Sequence, residues 1–352
     1  MPTFKRTRII LFGLITVLLA CSPSPEGNKD AKPVTLHLFT WSDYTEETAA
    51  KEFEKKFGIK IVTDTFGSNE ELLAKMQGGA SGYDIVVPSD YMVSIMIKQG
   101  LLSEIDPAKI PNLAQVYKHL RGLYYDPENR YSVPYLWGTT GIGYNADLVR
   151  AAPDSWQALF NPEFKGKISL LNDEREVFAM ALRLEGLPMN STDPSHVDLA
   201  KARLMAQKPL VKTYTSENYD QLLISAEVAV AHGWSGTVLR AAAEKPSIRF
   251  INPKEGGTIW QDNFCVLKTS THKAEAMSFI NYLLEPEVAA RISTKVKYAS
   301  ANEAARTFLP KELATNTVMY PPDTTIARLE WLKDVGEAVK LYDRAWTELK
   351  VK

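Results

Sequence analysis

Five short stretches hold the side chains with which this chain can do chemistry: Trp41-Ser42-Asp43-Tyr44, Ser89-Asp90-Tyr91, Asn172-Asp173-Glu174-Arg175-Glu176, Gly233-Trp234-Ser235-Gly236 and Trp260-Gln261-Asp262. Aromatic faces carry a negative quadrupole and attract ammonium groups by roughly 0.5–2 kcal/mol each. They also cover methylene segments, at about 0.8 kcal/mol per buried CH₂. Carboxylates spaced along such a groove neutralise successive amines through charge-assisted hydrogen bonds. The combination suits an elongated organic cation. A sugar would use the aromatics but has no need of several acids whose one obvious basic neighbour is Arg175. An anion would be repelled. Each stretch also has a local explanation. Trp41, Tyr44 and Tyr91 can serve as core or rim aromatics, and Trp234 and Trp260 can plug a domain interface. Asp173 and Glu176 are spaced as a helix N-cap and its reciprocal partner.

Patterns for catalysis are poor. Paired carboxylates with tryptophans also describe glycosidases, which makes a glycosidase-like enzyme one alternative. The five histidines show no metal-ligand spacing, and the two cysteines form no cluster. Gly233-Trp234-Ser235-Gly236-Thr237 misses the nucleophile elbow because Thr237 stands where its last glycine belongs. Gly138, Gly141 and Gly143 lack the order of a dinucleotide loop. The chain reads as a binding protein with no catalytic step, metal or cofactor.

The elements that must position these residues alternate strand and helix. Val34, Leu36 and Leu38 alternate with polar residues, as in a strand. Asp43 with Glu46 marks a helix start, and Ala49 and Phe53 share one face of that helix. Ile59 and Ile61 begin a second strand. Ser68-Asn69-Glu70-Glu71 is a capping box for a helix through Met76, which Gly78-Gly79 ends. An apolar strand over 83–87 and a helix over 91–98 complete a β-α-β-α-β unit, which implies a parallel sheet covered on both faces. A second unit begins near Ser155, with strands over 167–171 and 228–232 and helices over 173–184 and 237–243. Helices are further expected over 274–284, 286–292 and most of 325–349. The Gly-, Thr- and aromatic-rich segment 131–145 reads as the first crossing between the units, and Trp260-Gln261-Asp262 as part of the return. In open α/β sheets ligands bind beyond the carboxyl ends of the strands, and every stretch named above falls at such an end or on a crossing. That pattern is a cleft.

Lys5, Arg6 and Arg8 precede an apolar run over 9–19 that Ala20-Cys21 closes. These are the parts of a secretory signal, with an apolar run too short for an ordinary spanning helix. Leu18-Leu19-Ala20-Cys21 resembles a bacterial lipobox. It predicts a signal peptide over 1–20, lipid on Cys21 as the membrane contact, and a location in the periplasm or cell envelope. The polar, Pro- and Ser-rich stretch 21–33 reads as a tether. Cys265, within an apolar run, reads as a buried inert thiol. Removing the leader takes away three of 41 basic residues and none of 42 acidic ones, leaving about −4. With no basic block, nucleic acid is excluded as a partner. Roughly 320 mature residues favour two lobes over one continuous core.

At these residues the chain resembles the spermidine/putrescine-binding proteins of bacterial polyamine ABC transporters. The similarity runs over about 34–342, and its most telling stretches are TWSDY, YDIVVPSDY, SVPYLWGTTGIGYN, DEREVFAMAL and PKEGGTIWQD. The resemblance implies an α/β, two-lobed periplasmic-binding-protein fold with a hinge and the ligand in the inter-lobe cleft. Residues 34–138 and 261–305 would form one lobe, and 141–258 and 309–352 the other. It assigns Trp41, Tyr44, Tyr91, Trp234 and Trp260 to an aromatic box. Ser42 and Ser89 become small polar contacts, and Asp173, Glu176 and Asp262 hold the amines. Leu332 departs from the family, whose spermidine binders carry a glutamine there that contacts a terminal amine. The stretch 173–178 favours spermidine over putrescine as ligand. The implied partners are the polyamine and a membrane-embedded ABC permease, with the protein as a monomer. A polyamine sensor that signals to a membrane-bound receptor would use the same closed cleft.

Overall fold

The computed structural model describes residues 1–3, 34–42, 44, 47–79 and 82–351. Residues 4–20 of the expected signal peptide, Cys21, the tether, and Asp43 and Glu46 of the expected helix start fall outside the described residues. Val34–Lys352 forms one compact unit. Among the described residues no helix is long and apolar enough to cross a membrane.

The chain enters through β1 (Thr35–Trp41), α1 (Glu47–Phe57), β2 (Lys60–Phe66), α2 (Asn69–Gln77), β3 (Ile85–Val86) and α3 (Asp90–Lys98). Strand β1 lies between β2 and β3 and is parallel to both, as the alternating pattern requires. Ala49 and Phe53 are the buried residues of α1. Ser68 caps α2 by accepting from the Glu71 N–H at 3.2 Å, but the Glu71 carboxylate takes the N–H of Gly67 rather than completing the expected box.

The crossing segment is β4 (Val133–Asn145), thirteen residues buried throughout. Beyond it come β5 (Ile168–Leu170), α4 (Glu174–Leu184), α5 (Pro194–Gln207), β6 (Val211–Tyr214), α6 (Tyr219–Ile224), β7 (Val230–Trp234), α7 (Ser235–Glu244) and β8 (Ile248–Ile251). Strand β9 (Thr258–Val266) is the return, followed by α8 (Lys273–Leu283), α9 (Pro286–Val296), β10 (Ala299–Ser300) and β11 (Glu330–Trp331). The strands run in the order β2-β1-β3-β9-β4-β7-β5-β6. The sheet is therefore mixed, because along this order both crossing strands are antiparallel to the strands beside them: β9 to β3, β4 to β9 and β4 to β7. Residues 133–139 of β4 pair with β9, and 140–144 pair with β7. One long strand thus serves two lobes, each with its own buried apolar cluster, and Trp234 packs against both clusters.

The expectation of helix over most of 325–349 is corrected. Only Asp323–Ile326 and Val339–Val351 are α-helical in that region. Between them β11 pairs in parallel with β9, Glu330 opposite Thr258 and Trp331 opposite Ile259. Strand pairing satisfies this backbone, and Gly336, at φ +57°, takes a left-handed conformation that helix cannot continue through. The pairing brings Leu332 to the cleft.

Candidate ligand-binding cleft

Successive side chains of a strand point to opposite faces, so Thr258, Trp260 and Asp262 of β9 share one face, over a span of about 13 Å. All three are buried. Trp260 and Asp262 look onto a cavity between the lobes. All ten residues proposed from sequence line it: Trp41, Ser42, Tyr44, Ser89 and Tyr91 from the first lobe, Asp173, Glu176 and Trp234 from the second, and Trp260 and Asp262 from the return strand.

Asp262 marks one end. Its carboxylate accepts from the Tyr44 hydroxyl and, at 2.6 Å, from the Ser89 hydroxyl. Asn69 fixes Ser89 twice, donating to its Oγ at 3.1 Å and accepting from its N–H at 3.0 Å. Burial raises the Asp262 pKa to about 7, against the opposing pull of these two hydroxyls. Such a group gains from a cation that restores the solvation lost on burial.

Glu176 marks the other end. It accepts from Thr140 of β4 at 2.8 Å and from Thr258 of β9 at 2.8 Å, and the Trp234 side chain also hydrogen-bonds to it. Local capping therefore explains Asp173, whose Oδ1 accepts from the Glu176 N–H at 3.0 Å. It does not explain Glu176, whose carboxylate is taken by the two crossing strands. Both acids are raised to about 7, mainly by burial, and Asp173 also by the charge of Glu176.

Aromatic rings close the walls. Trp41 of the first lobe meets Trp234 of the second with ring centroids 5.6 Å apart, edge to face, and the Trp41 indole is fixed by donation to the Val87 carbonyl at 3.0 Å. Trp260 packs edge to face on Tyr298 at 5.2 Å. A Cβ on Gly138 would lie 2.7 Å from the Trp260 indole, and one on Gly236 would lie 2.4 Å from the Tyr298 ring. These two glycines let backbone pass directly under the walls. Gly138→Val is expected to displace the indole, lowering stability by about 1–3 kcal/mol through overpacking and weakening ligand binding. Thermal melts with calorimetric titration check this, and unchanged affinity would show that the wall tolerates the shift.

The sequence patterns passed over part of the site. Asn69 and Glu70 sit in a stretch whose capping signal masked a second role. Tyr91 donates to Glu70 at 2.8 Å, and its ring lies 5.3 Å beneath the Arg175 guanidinium, which also covers Tyr342 at 5.1 Å. Arg175 donates to Asn190 and to the Lys333 carbonyl, so this one cation is held beside the acids. Phe66, Ser216, Thr237 and Tyr298 also line the cavity, and no local motif marks them as ligand contacts; Leu332, the position singled out by the resemblance, lines it too. Cys265 is fully buried on β9, as expected, and burial pushes its thiol pKa up. Among the described residues no three His, Cys, Asp or Glu side chains cluster closely enough to hold a metal ion.

Residues 48–321 match the family of bacterial extracellular solute-binding proteins. The spermidine/putrescine-binding periplasmic protein of Escherichia coli (strain K12) is 37% identical over 90% of this chain and 91% of its own length. A solved structure described as a spermidine/putrescine ABC transporter from Listeria monocytogenes superposes with a TM-score of 0.88 at 34% identity, covering 90% of this chain and 99% of that one. A lipoprotein of Treponema pallidum superposes with a TM-score of 0.80 at 31% identity, covering 90% and 99%. With this identity over nearly the whole folded chain and the same two-lobed α/β architecture, the chain belongs to the bacterial extracellular solute-binding proteins, within the spermidine/putrescine-binding family.

Proposed function

We propose that this protein captures a polyamine, spermidine ahead of putrescine, and delivers it to an ABC permease without any catalytic step. One observation carries the proposal: two buried carboxylates, Asp262 of β9 and Glu176, which bonds Thr258 of the same strand, line a cleft walled by Trp260 and other aromatics of both lobes. Ammonium groups would replace the solvation these acids lose on burial, and the rings would cover the methylenes between them. Lobe closure about the crossing strands, with 34–138 and 261–305 moving against 141–258 and 309–352, would trap the ligand and give the permease its signal. The lipobox-like Leu18-Leu19-Ala20-Cys21 supports export and anchoring by lipid at Cys21, and one solved relative is itself a lipoprotein. The protein would act as a monomer at the cell envelope.

Because the ligand binds the folded state, spermidine at about 100 times its Kd should add about 2.7 kcal/mol of stability. A thermal melt against spermidine, putrescine, a sugar and a peptide tests this. A rise with sugar or peptide and none with either polyamine would overturn the proposal.

A further inference from the structure

Residues 330–334 lead out of β11 along the rim of the cleft and are gripped from both sides. From the second lobe, Arg183 pairs with Glu330 at 2.8 Å, and Arg175 donates to the Lys333 carbonyl at 3.1 Å. Asn190 donates to the Trp331 carbonyl at 3.0 Å and accepts the Lys333 N–H at 2.7 Å. From the first lobe, Lys98 in the last turn of α3 pairs with Asp334, and the Tyr124 hydroxyl donates to the Leu332 carbonyl. The Tyr124 ring also lies 5.8 Å from the Lys333 ammonium.

The two grips differ in kind. Asn190 and Arg175 hold main-chain atoms on either side of Leu332, so the segment moves with the second lobe. Lys98 and Tyr124 reach it by the tips of exposed side chains, contacts that part as the lobes separate. Lys98, Tyr124 and Asp334 stand apart from the residues that line the cavity. Asp334 is set in place by accepting the Gly336 N–H at 2.8 Å. Its side chain is 15% exposed, so Lys98 meets a partly desolvated acid rather than a fully hydrated one.

We infer that Lys98, Tyr124 and Asp334 form a latch across the lobes, which steadies the closed cleft and sets how fast a bound solute leaves. A contact made only in the closed state shifts the open–closed equilibrium and is felt mainly in the dissociation rate. The latch rests on lobe closure over a polyamine, as proposed above. The competing role is static: the ion pair would tie the segment to α3 in both states and serve stability alone.

Stopped-flow release of spermidine, followed by tryptophan fluorescence, separates the two roles. Lys98→Met keeps the side-chain length and loses the charge. It should release spermidine about three- to fivefold faster than the wild type, the upper range for an exposed ion pair, with association changed less than about twofold. Lys98→Glu should be faster still, and Lys98→Arg close to wild type. The gap between wild type and Lys98→Met should shrink at about 1 M salt, which screens the pair. The ligand-free Tm of Lys98→Met should stay within about 3 °C of wild type, the scale of one lost helix-end charge. Equal release rates in the wild type and Lys98→Met, whatever the Tm, overturn the latch. Failure of the wild type to bind spermidine would instead sink the polyamine proposal. The latch is then judged by pulsed electron paramagnetic resonance between labels on exposed Ala74 of α2 and Gln221 of α6. Lys98→Glu should lengthen that distance in the ligand-free protein, and an unchanged distribution overturns the latch.

Discussion

Asp262→Asn is expected to weaken polyamine binding by about 2–5 kcal/mol, from roughly 30-fold to beyond 10³-fold, because it removes one charge from a desolvated ion pair and leaves the ammonium unmatched. Asparagine preserves the volume and one acceptor, so either Tyr44 or Ser89 keeps a partner. Stability without ligand should move the other way. A buried carboxylate whose pKa is raised by burial is a liability near neutral pH, and a neutral amide relieves it. The expected signature is therefore a large loss of affinity with an unchanged or higher Tm, read by titration and a melt of the same sample. An unchanged Kd would remove Asp262 from the ligand contact.

The second large effect concerns pH. Asp262, Glu176 and Asp173 are each raised to about 7, with burial the main cause. The unfolded chain ionises near 4, so between about pH 4 and 7 the folded state holds more protons than the unfolded one. The contribution of these three acids to stability without polyamine is then fullest below pH ~4 and is lost as the pH rises through about 7. Asp262 alone contributes about 4 kcal/mol to this fall, at 1.36 kcal/mol per pKa unit. A polycation prefers the ionised acids and reverses the slope, so the Tm gain from ligand should grow with pH across that window. Binding at about pH 6 should release protons, and binding at about pH 8 nearly none. Titrations in buffers of different ionisation enthalpy measure this, and buffer-independent heats at the lower pH would show that these acids do not change protonation when ligand binds.

Much of the site was legible before the fold. Trp41, Tyr44, Tyr91, Trp234 and Trp260 were visible because they gather with acids at strand ends and crossings, and the acids because no obvious basic residue but Arg175 accompanies them. Asp173 and Glu176 were ambiguous, since an N-cap and a ligand carboxylate share the same spacing. Only Thr140 and Thr258, on two strands more than a hundred residues apart in sequence, show that Glu176 looks away from its own helix. Residues 325–349 read as helix because local propensity favours it, yet β9 offered their middle part an open edge, and long-range pairing prevailed.

Local patterns alone established the alternation of strand and helix, the crossing at 131–145, and the residue types a cationic ligand needs, because these depend on periodicities of two and 3.6 residues. The tertiary structure decided that Glu176 turns to the crossing strands, that Leu332 lines the cleft beside residues of both lobes, and that Trp41 and Trp234 meet across the lobes. The physical reason is that a strand fixes side-chain direction by local geometry, whereas its neighbours in the sheet come from distant segments whose register only the packed fold sets.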